Sequence, residues 1–487
     1  MSPQVALCIS LGVIAWLFFT DMRWRGGSAA LFVPWLWLII VGSRPLGYWL
    51  GMTAQSHMQG SAFDRLVGQL LILAAAFVLV RRRIDWLAFI SDNKALLSTF
   101  LYLLVSTSWS YDPSVSVTRW IRAFSGLLMA LVLLTEERPI ESIRMVFVRC
   151  AYVLFPLSVV TAKYFPEVGR LLSKSWENMI TGLALHKNEL GLVVLVFGLM
   201  VIWDFLEMRR QRTADRKSPL LLNHVLILFC AGWLLVMSNS QTARICMLVA
   251  VIGLWGSGRL VNMHHPRRVL ILSSAAALCL VAVVQVSGLS DNFLTALGRD
   301  RTLTGRTDVW QALAEQHVDP LSGSGFYTFW DAPHTPGAID GYIASGFKTA
   351  HNGYLEMKLD GGLLGVALLM VVLASGAVRV AKRLLEGSLW GRICFLFVIL
   401  VLPYNWSESA FFRDNPIWFA FLLVTIQCQE RLPPMLRVSQ SHSRRSKPLS
   451  FEAGSASHPT SSLARHRWSS RHVETQHLSS PSIRPLP

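Results

Sequence analysis

Apolar residues recur along this chain in long blocks separated by short polar connections, almost from end to end. A helix needs about 20 apolar residues to cross a bilayer, with a range of about 17–25. Backbone exposed to lipid has only itself to bond to, so blocks of this length predict helices. The pattern places spans at approximately 3–20, 27–43, 64–80, 95–110, 119–135, 145–165, 188–206, 220–238, 243–257, 269–287, 353–378, 391–404 and 415–429. The fold class is therefore all-α and polytopic, a bundle over residues 1–430 with about 12–13 transmembrane helices. The first block ends at Phe19, Thr20 and Asp21 without a small-residue cleavage pattern. It is read as a helix that stays in place, not as a signal peptide.

Lysine and arginine set the orientation. Arg23 and Arg25, Arg81 to Arg83, Arg138 and Arg144, Arg209 to Lys217, Arg259, Arg267 and Arg268, and Arg379 to Arg392 all fall on one side of the alternating spans. That side is assigned to the cytoplasm, which leaves the amino terminus outside. Two longer connections, about 166–187 and 288–352, then face outward, and long connections between helices more often carry function. The stretch 432–487 is rich in Ser, Arg, Pro and His and lacks apolar clusters. It reads as a disordered, basic cytoplasmic tail. No inverted repeat of the kind common in transporters is evident.

Composition supports a membrane protein. Of 487 residues, 53% are hydrophobic and 15% charged, against roughly 25% charged in soluble domains; mean hydropathy is +0.44. Tryptophans gather at the ends of apolar blocks, where amphipathic rings meet the membrane interface. The net charge of +16 raises nucleic acid as a partner. The charge is instead distributed by membrane side, so no nucleic acid is expected. The seven cysteines lie in or beside apolar blocks with no Cys-x-x-Cys pair, as small buried hydrophobes do. No Asp, His or Cys cluster has metal-ligand spacing, with Asp331, His334 and Asp340 scattered among Pro and Gly, so no metal or other cofactor is expected.

Four polar constellations lie at the outer face. Ala350, His351 and Asn352 precede a helix carrying Gly362 and Gly365 one turn apart. A histidine at a membrane mouth can accept a proton near neutral pH, or merely solvate a helix start; the glycines would admit a neighbouring helix. Ser238 to Arg244 opens another helix, and Arg244 either snorkels to the interface or grips an anion such as a diphosphate. Within the long loop, Thr304 to Trp310 reads as a short amphipathic helix whose Arg306 is a second anion clamp or a surface partner of Asp308. Gly323 to Phe326 reads as a tight turn, not a phosphate loop, because no Lys-Ser follows. His186, Lys187, Asn188 and Glu189 either meet a polar ligand or cap their helix. Arg44, Arg119, Arg122, Arg170 and Lys174 make the outer face more basic than membrane orientation predicts. These surplus cations would meet either a lipid diphosphate or anionic headgroups.

Taken in order, Arg244-x-x-x-Leu248, Gly305-Arg306-x-x-x-Trp310 and His351-Asn352-x9-Gly362-x-x-Gly365 resemble the O-antigen ligase and O-antigen polymerase superfamily of bacterial envelopes. The resemblance covers roughly 95–430 and is strongest over 238–365, with the ligase-related region at about 220–380. Ser43 to Pro45 and the His186–Asn188 region look like an exopolysaccharide-polymerase branch; the basic tail departs from the common pattern. The resemblance implies a GT-C-like glycosyltransferase of the bacterial inner membrane with its active site facing the periplasm. It implies a donor glycan on undecaprenyl diphosphate and an acceptor hydroxyl, on lipid A–core in ligases or on another lipid-linked repeat in polymerases. It further implies His351 as catalytic base and Arg244 and Arg306 as diphosphate ligands. His186, Lys187, Asn188, Arg44, Arg119 and Asn352 are candidate glycan or acceptor contacts. Membrane lipids and other members of a polysaccharide assembly complex are the expected partners.

The residues agree chemically: a sugar diphosphate needs charge stabilisation as it leaves, and an acceptor hydroxyl needs a base. A transporter or flippase of lipid-linked glycans is the alternative, and a non-catalytic scaffold another. Transporters place ionisable groups near the midplane, whereas here the polar groups are expected to crowd one rim.

Overall fold

The computed structural model describes residues 1–52, 61–172, 178–211, 220–261, 306–334 and 348–428, all within the unit Met1–Arg431. The expected span 269–287, Lys174, Thr304, Gly305, Asp340 and the tail 432–487 lie outside the described residues. The helices, in order, are α1 (Pro3–Trp24), α2 (Phe32–Val41), α3 (Leu46–Trp49), α4 (Ala62–Val80), α5 (Trp86–Asp92), α6 (Lys94–Ser106), α7 (Pro113–Leu134), α8 (Pro139–Tyr164) and α9 (Pro166–Gly169). They continue with α10 (Lys187–Gln211), α11 (Leu220–Met237), α12 (Gln241–Val261), α13 (Arg306–Ala314), α14 (Gly353–Leu385), α15 (Leu389–Ser407) and α16 (Pro416–Thr425). The only strands among the described residues, β1 (Arg170–Leu172) and β2 (Asn178–Ile180), pair antiparallel with Leu171 opposite Met179.

The sequence starts these helices by the usual chemistry. Ser2, Ser61, Asp112, Asn352, Ser388 and Asn415 each turn a side-chain oxygen onto the first backbone N–H groups, which otherwise lack partners. Proline follows the cap at α1, α7 and α16, where its missing N–H costs nothing.

Among the described residues, eight helices are long and apolar enough to cross a membrane, or nine if Trp86–Asp92 and Lys94–Trp109, bent by 85°, form one broken span. Three shorter apolar helices, Ala29–Val41, Gln241–Ser257 and Pro416–Thr425, fall on further expected spans. This is an all-α polytopic membrane protein. The spans α8 and α10 form its centre, each with 78% of its apolar window buried, whereas α4 buries only 17% and turns Leu66, Leu70, Leu73 and Phe77 outward.

The expectation of polar groups crowding one rim is corrected. A second buried network lies at the opposite end of the helices. Asp204 of α10 takes Arg25 at 2.8 Å, Arg144 and His224 at 2.8 Å, and Asp21 takes Arg149 at 2.7 Å. Each of these acids sits at the end of an apolar block, Asp21 closing the first and Asp204 near the end of 188–206, where it reads as the edge of a span.

Candidate active site

The other end of the bundle gathers four helix starts and one helix end. His351 stands two residues before α14, with φ at +48°; a non-glycine residue there is strained by roughly 1–3 kcal/mol. Its backbone is fixed on both sides. Thr349 Oγ1 accepts the His351 N–H at 3.3 Å, and Asn352 caps α14 by accepting from Tyr354 and Leu355 at 3.0 and 3.1 Å. The His351 side chain is about a quarter exposed, at 24%. Its Nδ1 lies 3.0 Å from Glu408 Oε2. Glu408 follows the last residue of α15, and its other oxygen accepts from Asn188 Nδ2 at 2.6 Å. Asn188 stands in the first turn of α10 beside His186, whose Nδ1 accepts the Asn188 N–H at 3.4 Å.

Glu408 is held from either side along the chain. Ser407 Oγ meets Thr242 Oγ1 of α12 at 2.9 Å, and Ser409 Oγ meets Thr349 Oγ1 at 3.0 Å. The start of α12 is pressed onto α10 at Gly191, where an added Cβ would stand 2.7 Å from Ser240 Cβ and 2.8 Å from Ala243 Cβ. Thus α10, α12, α15 and the approach to α14 meet around one carboxylate. Arg244, on the first turn of α12, bends back to α11. Its Nη2 donates to the Val236 carbonyl at 2.5 Å and its Nε to Leu235 at 3.4 Å, the carbonyls that a helix end leaves over.

Helix α13 docks beside the histidine. Trp310 Nε1 donates to the Ala350 carbonyl at 2.7 Å, and Val309, Ala312 and Leu313 pack with Phe329, Trp330, Ala350 and Leu359. Arg306 is the first residue of this helix; its side chain lies outside the described residues.

Beneath His351 lies a buried network. Glu356 Oε1 accepts the Ala350 N–H at 2.6 Å and the Thr349 hydroxyl at 3.0 Å. Glu356 Oε2 takes Arg413 at 2.9 Å, which also reaches Asp360 at 3.3 Å and stacks on Tyr327, 3.3 Å from its ring centre. Burial works against the Arg413 charge, but Tyr327, Glu356 and Asp360 outweigh it and hold the guanidinium above its ordinary range. Burial likewise pushes the Tyr327 phenol up. Arg119 of α7 joins from the far side, bonding the Tyr327 carbonyl and pairing with Asp331 at 2.5 Å.

Gly362 breaks α14 with φ +61°. The glycines of this block were expected to admit a neighbouring helix. At Gly362 the close neighbour is instead the turn at 320–323 of the loop before α14: Leu363 N donates to Pro320 O at 2.9 Å and Leu364 N to Leu321 O at 3.1 Å. The kink frees those two N–H groups from the helix, and a Cβ at Gly362 would lie 2.3 Å from Leu321. Gly323 and Gly325 adopt positive φ in the expected tight turn.

The expected site residues therefore separate. His351, Asn188 and His186 come together around Glu408, and Lys187 opens the same turn of α10. Asn352 spends its carboxamide oxygen on its cap. Arg44 is buried and holds the loop that leads to α10, donating to Ala184 O at 3.0 Å, Tyr48 Oη at 2.8 Å and Thr181 Oγ1 at 3.2 Å. Arg119 fixes the loop at Tyr327 and Asp331. Sequence reasoning missed Glu408, Glu356 and Arg413. A faint signal existed: the connection 405–415 holds Glu408, Arg413 and Asp414, more charge than so short a link between apolar blocks requires.

Residues 226–370 match the O-antigen ligase family. Over 300 residues, 59% of this chain, the sequence is 27% identical to the exopolysaccharide production protein ExoQ of Rhizobium meliloti (strain 1021). Over these stretches the chain is similar to O-antigen ligase and exopolysaccharide production proteins. The match spans 65% of the length of ExoQ, just under two thirds. The matched stretch takes in Arg244, Arg306, His351 and Gly362, while Asn188, Glu408 and Arg413 fall beyond its ends.

Proposed function

We propose that the protein transfers a glycan from an undecaprenyl diphosphate carrier to an acceptor hydroxyl, at the periplasmic face of a bacterial inner membrane. The overall process would be O-antigen ligation or exopolysaccharide polymerisation. One observation carries this reading: three stretches far apart in sequence, those of Arg244, Trp310 and His351, converge at one end of the bundle. The start of α12 reaches Ser407, Trp310 bonds the residue before His351, and His351 bonds the residue after Ser407.

In the proposed reaction the acceptor oxygen attacks the anomeric carbon and the bond from that carbon to the diphosphate oxygen breaks. His351 takes the hydroxyl proton, and the diphosphate leaves with its added negative charge on the carrier. Arg244 and Arg306 would stabilise that charge; a planar guanidinium matches two phosphate oxygens at once. Attack in line with the leaving group would invert the anomeric centre.

The test is transfer of a labelled lipid-linked repeat by purified protein in nanodiscs. His351→Ala should lower the rate by about 10²–10⁴-fold, the usual worth of a general base. Arg244→Ala should lower it by about 10²–10³-fold, as the loss of an oxyanion donor does. Parental transfer by His351→Ala would end the assignment of the base. Movement of intact donor across proteoliposomes without product would replace transfer by transport.

A further inference from the structure

We propose that Glu408 is the positioning residue of the site, setting the tautomer and the aim of His351 through an Asn188–Glu408–His351 chain; this rests on His351 being the base. An ionised carboxylate only accepts hydrogen bonds. With Glu408 Oε2 at 3.0 Å, the neutral imidazole therefore keeps its proton on Nδ1, and its basic lone pair is on Nε2. As the imidazole takes a proton from the acceptor hydroxyl, it becomes a cation on a carboxylate already in place, the arrangement by which a buried acid serves a catalytic histidine.

The carboxylate is itself aimed. Its second oxygen is taken by Asn188 at 2.6 Å, so the two oxygens face different partners and the group cannot rotate without losing one. Both chain neighbours are tied, Ser407 to Thr242 and Ser409 to Thr349, and the Glu408 carbonyl accepts the Gly353 N–H at 3.0 Å. That last bond locks the end of α15 to the start of α14, two residues past His351. The Glu408 side chain is 11% exposed while that of His351 keeps 24%, so the acid stands behind and the imidazole in front. Charged groups around the carboxylate among the described residues include His351 from the approach to α14 and Glu189 of α10, which feels both Glu408 and Arg44. His186 and Arg244 stand on the neighbouring helix starts.

The test compares Glu408→Gln, Glu408→Asp and Asn188→Ala in the full-length protein in nanodiscs, with turnover measured against donor concentration and pH. Glu408→Gln keeps the shape but removes the charge. It should lower kcat by about 10–100-fold, part of the general-base contribution, with donor KM little changed. The acidic limb of its rate profile should move to lower pH, because a less stabilised imidazolium loses its proton more readily. Glu408→Asp should recover part of kcat and return the limb toward the parent. Asn188→Ala should lower kcat less than Glu408→Gln and leave the limb in place. Parental kcat and an unmoved limb in Glu408→Gln, with His351→Ala inactive, would overturn the positioning role while leaving the base intact. Activity in His351→Ala would instead remove the base reading. A fall in kcat in Glu408→Gln with an unmoved limb, and no recovery in Glu408→Asp, would mark Glu408 as structural only and also overturn the proposal.

Discussion

The two polar ends of the bundle use the same residue types in opposite ways. At one end, Asp204 is fully buried and takes two arginines and a histidine, while Asp21 takes Arg149. At the other, Glu408 takes a partly exposed histidine and a neutral amide. A carboxylate surrounded by guanidinium groups is fully committed and can only hold helices together. A carboxylate paired with one imidazole leaves a group whose proton can come and go. Under the proposed function, buried charge serves the reaction only where a titratable partner still reaches solvent; elsewhere it holds helices together.

The sharpest way to break this comparison is to remove each carboxylate-centred unit in turn. Asp204→Ala leaves Arg25, Arg144 and His224 without their shared acid, and stranding buried partners costs about 3–5 kcal/mol. The expected outcome is a large loss of folded, detergent-extractable protein and a lowered unfolding midpoint. His351→Ala should leave both within the range of ordinary surface changes, since it removes one partly exposed ring, yet lower transfer by about 10²–10⁴-fold. Equal loss of folded protein in the two variants would show that both ends are structural.

Arg413→Ala tests the ground between them. Arg413 joins Glu356 to Asp360 and covers Tyr327, and Glu356 holds the Ala350 and Thr349 groups that lead into His351. Its loss leaves two buried acids facing each other, an expected cost of about 3 kcal/mol. Limited proteolysis should then cut in the outer loop at protease concentrations that spare the parent. A fully resistant loop would place the network outside the support of the site.

Much of the fold was legible because spans are written in block length, and block length is a sum over many residues. The helix starts carry signals as well, caps such as Asn352 and Asn415, but in the sequence Asn352 reads only as a candidate glycan or acceptor contact. The site was legible only in part. His351, Arg244 and Arg306 stand out in short patterns, but Glu408 carries no pattern of its own. Its meaning comes from Asn188, 220 positions away, and from His351, 57 positions away, and no local window contains such pairs. Arg44 and Arg119 misled for the same reason. As isolated cations they look available, and only the folded chain brings Thr181, Ala184 and Asp331 to them.

Gly362→Ala has a smaller expected effect and sharpens the comparison at the site end. A side chain at φ +61° is strained, and its Cβ would press on the Leu321 backbone. A cost of about 1–3 kcal/mol follows from the backbone strain. Because the kink ties α14 to the turn at 320–323, the variant should also loosen the outer loop, read as faster hydrogen exchange at Leu363 and Leu364. An unchanged exchange pattern would mean that the kink is not what binds loop to helix.

The smallest effect is expected at Arg138, which pairs with Glu141 at 3.3 Å on the same end as Asp204. The chemistry matches the Arg144–Asp204 pair, guanidinium on carboxylate, and the sequence separation is only three. The difference is exposure: 77% and 62% for these side chains against 11% and none for Arg144 and Asp204. Water screens the exposed pair, and ordering two long side chains offsets most of the attraction, so such pairs contribute about 0–1 kcal/mol. Arg138→Ala should therefore leave the unfolding midpoint and glycan transfer at parental values, and added salt should not separate variant from parent. A loss approaching that of Asp204→Ala would mean that charge at this end acts through its total and not through particular buried pairs, and the contrast between a locked end and a working end would no longer follow from burial.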